Sequence, residues 1–215
     1  MRELVVHGVP GSPYTRSVLL ALEEKGVAYQ LHRLAPGSNR TPEHRQLHPF
    51  GRIPSLDDGD FRLYETQAIL RYIDTSRPAP ALRPTSPRLQ ARMDQIVGIV
   101  DCYVFPQISV RISAERFFSE RFWGRPCDES IIAKALPEAQ NCIEELERLQ
   151  AGAPYMAGEQ VSLADLMLAP HLDYFRKTPE GETLLKERPL GAWMERMLGR
   201  ASMRATETER LLQAA

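Results

Sequence analysis

Three short segments of the chain hold residues suited to binding an anion, a peptide backbone and an amino-acid head group. The first is Gly11-Ser12-Pro13-Tyr14-Thr15-Arg16, where a short apolar run gives way to a helical pattern opened by proline. On local grounds Ser12 is an N-cap and Pro13 a helix starter. The same geometry sets a hydroxyl beside outward-pointing N–H groups at the positive end of a helix, where it can donate to an anion. A bound thiolate is one such anion. A free thiol has a pKa of ~8.5, and one charge-assisted hydrogen bond of ~1.5–3 kcal/mol lowers it by about one to two units. The second segment is Phe50-Gly51-Arg52-Ile53-Pro54. Pro54 reads either as a residue opening an edge strand or as half of a cis Ile53-Pro54 bond. The cis form would turn the Ile53 N–H and C=O outward, toward an extended peptide that pairs with them. The third is Tyr64-Glu65-Thr66-Gln67. Here Thr66 is a helix cap with Glu65 at the favoured end, or the pair binds a carboxylate through Thr66 and an amine through Glu65.

The elements that must carry these segments alternate in the first eighty residues. Leu4 to His7 reads as a buried strand, Pro13 to Lys25 as a helix capped by Gly26, and Val27, Tyr29 and Leu31 as a half-buried strand. A short helix from Pro42 to Leu47 follows. Then come strands at Pro54–Leu56 and Phe61–Leu63, joined by Asp57-Asp58-Gly59-Asp60, with a helix from Thr66 to Thr75. The order is βαβαββα. Each of the three segments falls at a strand–helix junction, the usual place for a ligand at one edge of an open sheet. Residues 76–87 hold four prolines and few apolar residues, which marks a domain boundary. The expected division is 1–80, a linker at 81–87, and an all-helical part at 88–215. In the helical part Arg88 to Trp123 forms one long helical stretch, with a kink expected near Cys102 to Pro106. Helices are also expected at Asp128–Gln150, Ser162–Phe175 and Leu190–Leu198. Val161-Ser162-Leu163-Ala164-Asp165-Leu166 is a capping box with a hydrophobic staple, so Ser162 and Asp165 are assigned a structural role.

The chain has 215 residues, and 27 Lys and Arg nearly cancel 28 Asp and Glu. That balance argues against a nucleic-acid or anionic-membrane surface. No apolar stretch reads as a signal peptide or a membrane span, so a cytoplasmic location is expected. The three cysteines, Cys102, Cys127 and Cys142, are odd in number and lack C-x-x-C spacing, and the first 101 residues contain none. A disulfide framework is thus not expected. Any nucleophilic sulfur in the first half must come from a ligand. His7, His32, His44 and His171 lack metal-ligand spacing, and no metal is expected. Tyr14 is a phenolic donor or packs inward, and Arg16 raises the local potential or faces solvent. Tyr103, Phe105, Phe117, Phe118, Phe122 and Trp123 read mostly as core, with a few of them lining a ligand pocket.

GSPYTRSVLLALEEKG followed by HPFGRIPSLDDGDFRLYETQAILRYI resembles the thioredoxin-like glutathione-binding domain of cytosolic glutathione transferases. The likeness is closest to their serine-type classes, phi, tau and related bacterial forms, and the second half resembles the family's helical domain. The resemblance implies a glutathione transferase fold with no tightly bound cofactor and reduced glutathione as co-substrate. It also implies a hydrophobic electrophile held by the helical domain, a homodimer and a detoxifying role. Ser12 would hydrogen-bond the glutathione sulfur, Ile53 and Pro54 would meet the cysteinyl backbone, and Glu65 and Thr66 the γ-glutamyl end. Arg52 and Arg40 would lie near the glycine carboxylate. His48 stands where the family usually has Asn, and Arg52 where the phi class usually has Gln. A glutathione-dependent peroxidase and a non-catalytic interaction module of the same fold are the alternative readings.

Overall fold

The computed structural model describes residues 4–77 and 79–213. Pro78 of the proline-rich stretch and residues 1–3 and 214–215, which the expected domain ranges include, lie outside the described residues. The chain forms two units, one from residues up to Leu82 together with those from Leu198 onward, the other from Arg83 to Met197.

In the first unit four strands, β1 (Leu4–Gly8), β2 (Tyr29–Arg33), β3 (Ser55–Asp58) and β4 (Phe61–Tyr64), form one sheet in the order β2-β1-β3-β4. β1 and β2 are parallel, and the other two pairings are antiparallel. The β3–β4 hairpin closes through Gly59-Asp60, with Gly59 at φ 66 where a side chain would be strained. Helices α1 (Pro13–Glu24) and α2 (Pro42–Leu47) connect strands, α3 (Thr66–Ser76) follows β4, and Ser38–Arg40 makes a single tight turn. The core is built from Leu4 and Val6 of β1, Val18 to Leu22 of α1, Leu56 of β3, and Ile69, Leu70 and Ile73 of α3. Gly8 ends β1 against the Thr15 side chain, so closely that a Cβ there would overlap it.

The first unit is closed by α10 (Ala201–Ala205) and α11 (Thr208–Gln213) at the far end of the chain. Neither is expected from the sequence, and both fall in the range 88–215 assigned there to one helical domain. The physical reason lies in α1. Arg16 is only 4% exposed, and its guanidinium donates to Met203 O at 3.0 Å and Thr206 Oγ1 at 3.3 Å. On the same helix Glu24 receives two bonds of 2.7 Å from Arg200 and one from Ser202. Arg16 therefore neither faces solvent nor serves the site's potential alone. In the proline-rich stretch, Leu82 is buried and its N–H donates to Asp74 Oδ1 at 2.8 Å, so the first unit extends to it.

The second unit contains, within Pro87–Trp123, α4 (Pro87–Ile99), a widened stretch Val100–Ala114, and α5 (Glu115–Trp123). It continues with α6 (Glu129–Gln150), α7 (Leu163–Phe175), α8 (Pro179–Leu185) and α9 (Pro189–Leu198), whose last residue falls at the unit boundary. Among the described residues it has no strand, only an isolated bridge between Tyr155 and Gly158. Where a kink is expected at Cys102–Pro106, the winding itself changes. The helix instead runs on with i→i+5 winding through Pro106, whose missing N–H a regular ladder would have lacked. By length and composition alone this run could cross a membrane. Its buried stripe, Val100, Val104, Ile108 and Ile112, is covered within the unit by α6 and α7. The aromatic residues mostly miss that fourth-residue stripe. Tyr103, Phe117, Phe122 and Trp123 are 57, 37, 48 and 48% exposed, contrary to the reading of them as core. The unexpected α8 has a legible start, since Thr178 accepts from Gly181 N–H at 3.0 Å and Pro179 opens the helix.

The capping box of α7 is closed, with Asp165 accepting from the Ser162 N–H at 2.9 Å. Asp165 also accepts from the Ser162 hydroxyl, the Met156 N–H and the Trp193 indole N–H, each at 2.8 Å. It is fully buried, and that burial pushes its carboxyl above the usual carboxylate range against the pull of these donors.

Candidate functional site

The register of the sheet decides where the three segments meet. His7 of β1 pairs with Ser55 of β3, and Ser55 pairs with Tyr64 of β4. Those three residues form a row across one end of the sheet. The chain just beyond the row carries Gly8 and the loop to Ser12, Pro54 and Ile53, and Glu65 and Thr66. The predicted convergence of Ser12, Ile53-Pro54 and Glu65-Thr66 is therefore a property of strand pairing.

At the first junction Ser12 is the N-cap of α1, in extended backbone, with Pro13 following. Its Oγ accepts from the Thr15 N–H at a long 3.4 Å, while its own N–H donates to Val9 O. The Ser12 hydroxyl proton has no acceptor among the described residues, and Ser12 is half-buried. At the second junction the Ile53-Pro54 bond is cis. Pro54 is buried and Ile53 half-buried. The Ile53 N–H and C=O make no backbone hydrogen bond to another described residue.

The third junction departs from expectation. Thr66 is the first helical residue of α3, and Glu65 occupies the cap position without a side-chain cap bond. Glu65 has φ 69 and ψ 113, a backbone state that side-chain-bearing residues rarely hold and that tends to cluster where binding needs it. The first helical hydrogen bond to the cap carbonyl is from Ile69 N–H, at 3.0 Å. The Thr66 hydroxyl takes no partner among the described residues. The Glu65 carboxylate is mostly exposed, with Oε1 3.7 Å from Nε2 of the buried His48. Burial holds the His48 imidazole below its ordinary value, partly opposed by Glu65. Its ring packs on Tyr64 with centroids 4.8 Å apart.

Arg40 and Arg52 sit on two loops that the structure ties together. Asn39 Nδ2 donates to Gly51 O at 2.7 Å, and Gly51 has φ 62. A Cβ on Gly51 would press on Asn39 O at 2.9 Å, so only glycine fits. Next to it, His44 Nε2 lies 2.7 Å from Arg52 O, a contact that requires the proton on that nitrogen. Both arginines are exposed, and neither guanidinium has a carboxylate within ion-pair distance among the described residues. The sequence marks His44 as structural without its partner and does not mark Asn39, because a side chain bonding a backbone carbonyl eight or twelve residues away leaves no periodic trace.

The remaining histidine of β1 serves the sheet. His7 Nε2 is 2.9 Å from Asp57 Oδ2, and Asp57 is held by two bonds from its cross-strand partner Arg62, at 2.6 and 2.7 Å. Arg62 draws the Asp57 carboxyl below the usual carboxylate range, and burial lowers the His7 imidazole. Among the described residues no group of His, Cys, Asp or Glu could hold a metal ion.

The family model for the glutathione S-transferase N-terminal domain matches residues 6–81, and that for the C-terminal domain matches residues 129–196. The chain is 30% identical over 209 residues to a probable glutathione S-transferase of Oryza sativa subsp. japonica, covering 95% of each chain. Among solved structures it is similar to glutathione transferase F7 from Populus trichocarpa, at 27% identity and TM-score 0.85, covering 94% of this chain and 97% of that one. A theta-class glutathione S-transferase from Xanthomonas axonopodis pv. citri, solved with glutathione bound, aligns with TM-score 0.80 at 27% identity, over 96% of this chain and 97% of that one.

Proposed function

Because the chain belongs to the glutathione S-transferase family, as a serine-type, phi-like member, we propose that it activates the thiol of reduced glutathione at Ser12 and adds it to hydrophobic electrophiles. The observation that carries this reading is the Ser12 hydroxyl. Its proton is uncommitted, it sits at the positive end of α1, and Thr15 N–H leaves its oxygen polarised toward donation. A thiolate accepting from it gains a charge-assisted bond of ~1.5–3 kcal/mol. Since each pKa unit is about 1.36 kcal/mol, a thiol of pKa ~8.5 becomes mostly ionised at neutral pH. A lowered thiol pKa and the bound geometry then supply the acceleration.

The rest of the tripeptide has chemically matched partners at the same end of the sheet. The unpaired Ile53 N–H and C=O suit the cysteinyl backbone. The Glu65 carboxylate suits the γ-glutamyl amine, and the Thr66 hydroxyl with the open first turn of α3 suits its carboxylate. Arg40 and Arg52, exposed and without carboxylate partners, suit the glycine carboxylate, which Arg binds in a fork. A homodimer, a cytoplasmic location and a role in detoxification belong to the same reading, and light scattering tests the first of these.

The decisive measurement is the thiol pKa of bound glutathione, read from ultraviolet thiolate absorbance, in the wild type and in Ser12→Ala. The variant is expected to raise that pKa by about one to two units and to lower kcat at neutral pH with little change in glutathione affinity. An unchanged pKa would remove Ser12 from this role. Turnover with aryl halides, isothiocyanates and hydroperoxides then separates transfer from peroxide reduction.

A further inference from the structure

His48 ends α2 as a buried ring, 1% exposed, that the chain holds from several sides. Its N–H donates to His44 O at 2.9 Å, and its carbonyl accepts from the Gly51 N–H at 2.8 Å. The Tyr64 ring packs on it, and the Phe50 ring meets it edge-on with centroids 6.1 Å apart. Nδ1 is buried and has no hydrogen-bond partner among the described residues. A buried N–H is orphaned more rarely than a buried acceptor, so the neutral ring carries its proton on Nε2. That nitrogen faces Glu65 Oε1 at 3.7 Å, too long for a hydrogen bond and close enough for an ion pair.

The Glu65 carboxylate is mostly exposed and has no other partner among the described residues. Its backbone at φ 69 fixes where the side chain starts, while the rotatable bonds beyond leave the charged end free. Ordering that end for a ligand costs rotamer entropy, and a fixed donor beside it reduces the cost.

We propose that His48 is a positioning residue that holds the Glu65 carboxylate for the γ-glutamyl amine, and that its protonation in mild acid weakens glutathione binding. This rests on the pairing of Glu65 with that amine. The charged and titratable groups facing the ring are Glu65 at the head of α3, Tyr64 of β4, His44 of α2 and Arg52 of the loop before β3. Burial opposes a charge on His48 most, Glu65 favours it, and His44 and Arg52 oppose it, so the ring is neutral at pH 7. Once protonated, the imidazolium neutralises Glu65 and repels the ligand's ammonium. The bound ammonium in turn keeps the imidazole neutral. Affinity therefore falls wherever the free protein takes up a proton that the complex refuses.

The test uses the whole protein and S-methylglutathione, whose blocked sulfur removes the thiol's own titration, with the analogue lacking the α-amine as control. Binding is measured by calorimetry from pH 7.5 to pH 5. Wild type is expected to lose ~10-fold in affinity for S-methylglutathione across that range, which corresponds to about one pKa unit between the free and the bound imidazole. The amine-free analogue should bind more weakly at pH 7.5 and lack the acid loss. His48→Asn, which keeps a neutral N–H donor, should bind at pH 7.5 more tightly than His48→Leu, and its profile should be flat. His44→Gln should keep the acid loss. A flat wild-type profile, an acid loss that persists in His48→Asn or one that vanishes in His44→Gln would overturn the proposal while leaving the pairing of Glu65 with the amine intact. Equal affinity for the two probes at pH 7.5 would overturn that pairing, and the proposal with it.

Discussion

Replacing Asp165 with alanine tests how much of the second unit depends on one buried carboxylate. The substitution deletes the acceptor for four donors, at Met156 N–H, Ser162 N–H, Ser162 Oγ–H and the Trp193 indole. The serine hydroxyl can rotate away, but the other three donors are fixed in the interior. Each buried donor left unpaired costs ~1–3 kcal/mol, which sums to about 3–9 kcal/mol. Removing a charge that was itself expensive to bury offsets part of this, so a net loss of about 4 kcal/mol is expected. Asp165→Asn keeps the shape and one acceptor oxygen. It turns an amide donor against the Ser162 N–H, for a loss of about 1–3 kcal/mol. Ser162→Ala loses one cap bond, about 1 kcal/mol. The assay is guanidinium unfolding followed by Trp193 fluorescence, in a Trp123→Phe background so that the buried indole alone reports. The expected order of cost is Asp165→Ala, then Asp165→Asn, then Ser162→Ala. If Asp165→Ala costs no more than Ser162→Ala, the carboxylate is a local cap and the reasoning fails.

Two further outcomes follow from single residues. Complete burial lowers the His171 imidazole to about 3, while in the unfolded chain it titrates near ~6.5. The unfolded state therefore takes a proton that the folded state refuses, and stability intact above that pH is lost as pH falls, by about 1.4 kcal/mol per unit. His171→Asn should flatten this acid limb in chemical denaturation measured from pH 7 to pH 4, and parallel limbs would refute it. Glu65→Gly relieves a positive φ worth ~1–3 kcal/mol and adds glycine's unfolded-state entropy of ~0.5–1, for a net gain of about 1 kcal/mol. It should also raise KM for glutathione. A lower Tm with unchanged KM would contradict both halves.

The junctions that carry the site were legible because caps, glycines and prolines are local signals. Ser12-Pro13 and Asp57 to Asp60 announce a helix start and a hairpin within four residues. Their convergence follows from the His7–Ser55–Tyr64 register, which alternation in β1, β3 and β4 supports without stating. What was missed depends on contacts far apart in sequence. Arg16 finds Met203 and Thr206, Asp165 finds Trp193, and Asn39 finds Gly51, none with a periodic signature. The aromatic residues of the long helix misled for a different reason. Large rings suggest core, yet Tyr103 of the widened stretch and Phe117, Phe122 and Trp123 of the regular α5 occupy exposed positions.

The clasp between α1 and the C-terminal helices has a consequence for how the protein is made. The chain leaves the first unit after Leu82 and rejoins it at Leu198, so the helical unit is in effect an insertion. Arg16 leaves the ribosome with its charge destined for the interior, while its acceptors Met203 O and Thr206 Oγ1 lie 187 and 190 residues downstream. At ~5–20 residues per second, that is a wait of about ten to forty seconds. During it the contiguous helical unit can complete itself, whereas the sheet unit stays open at α1. Translation thus sets an order in which the half of the molecule that starts first is the half that finishes last.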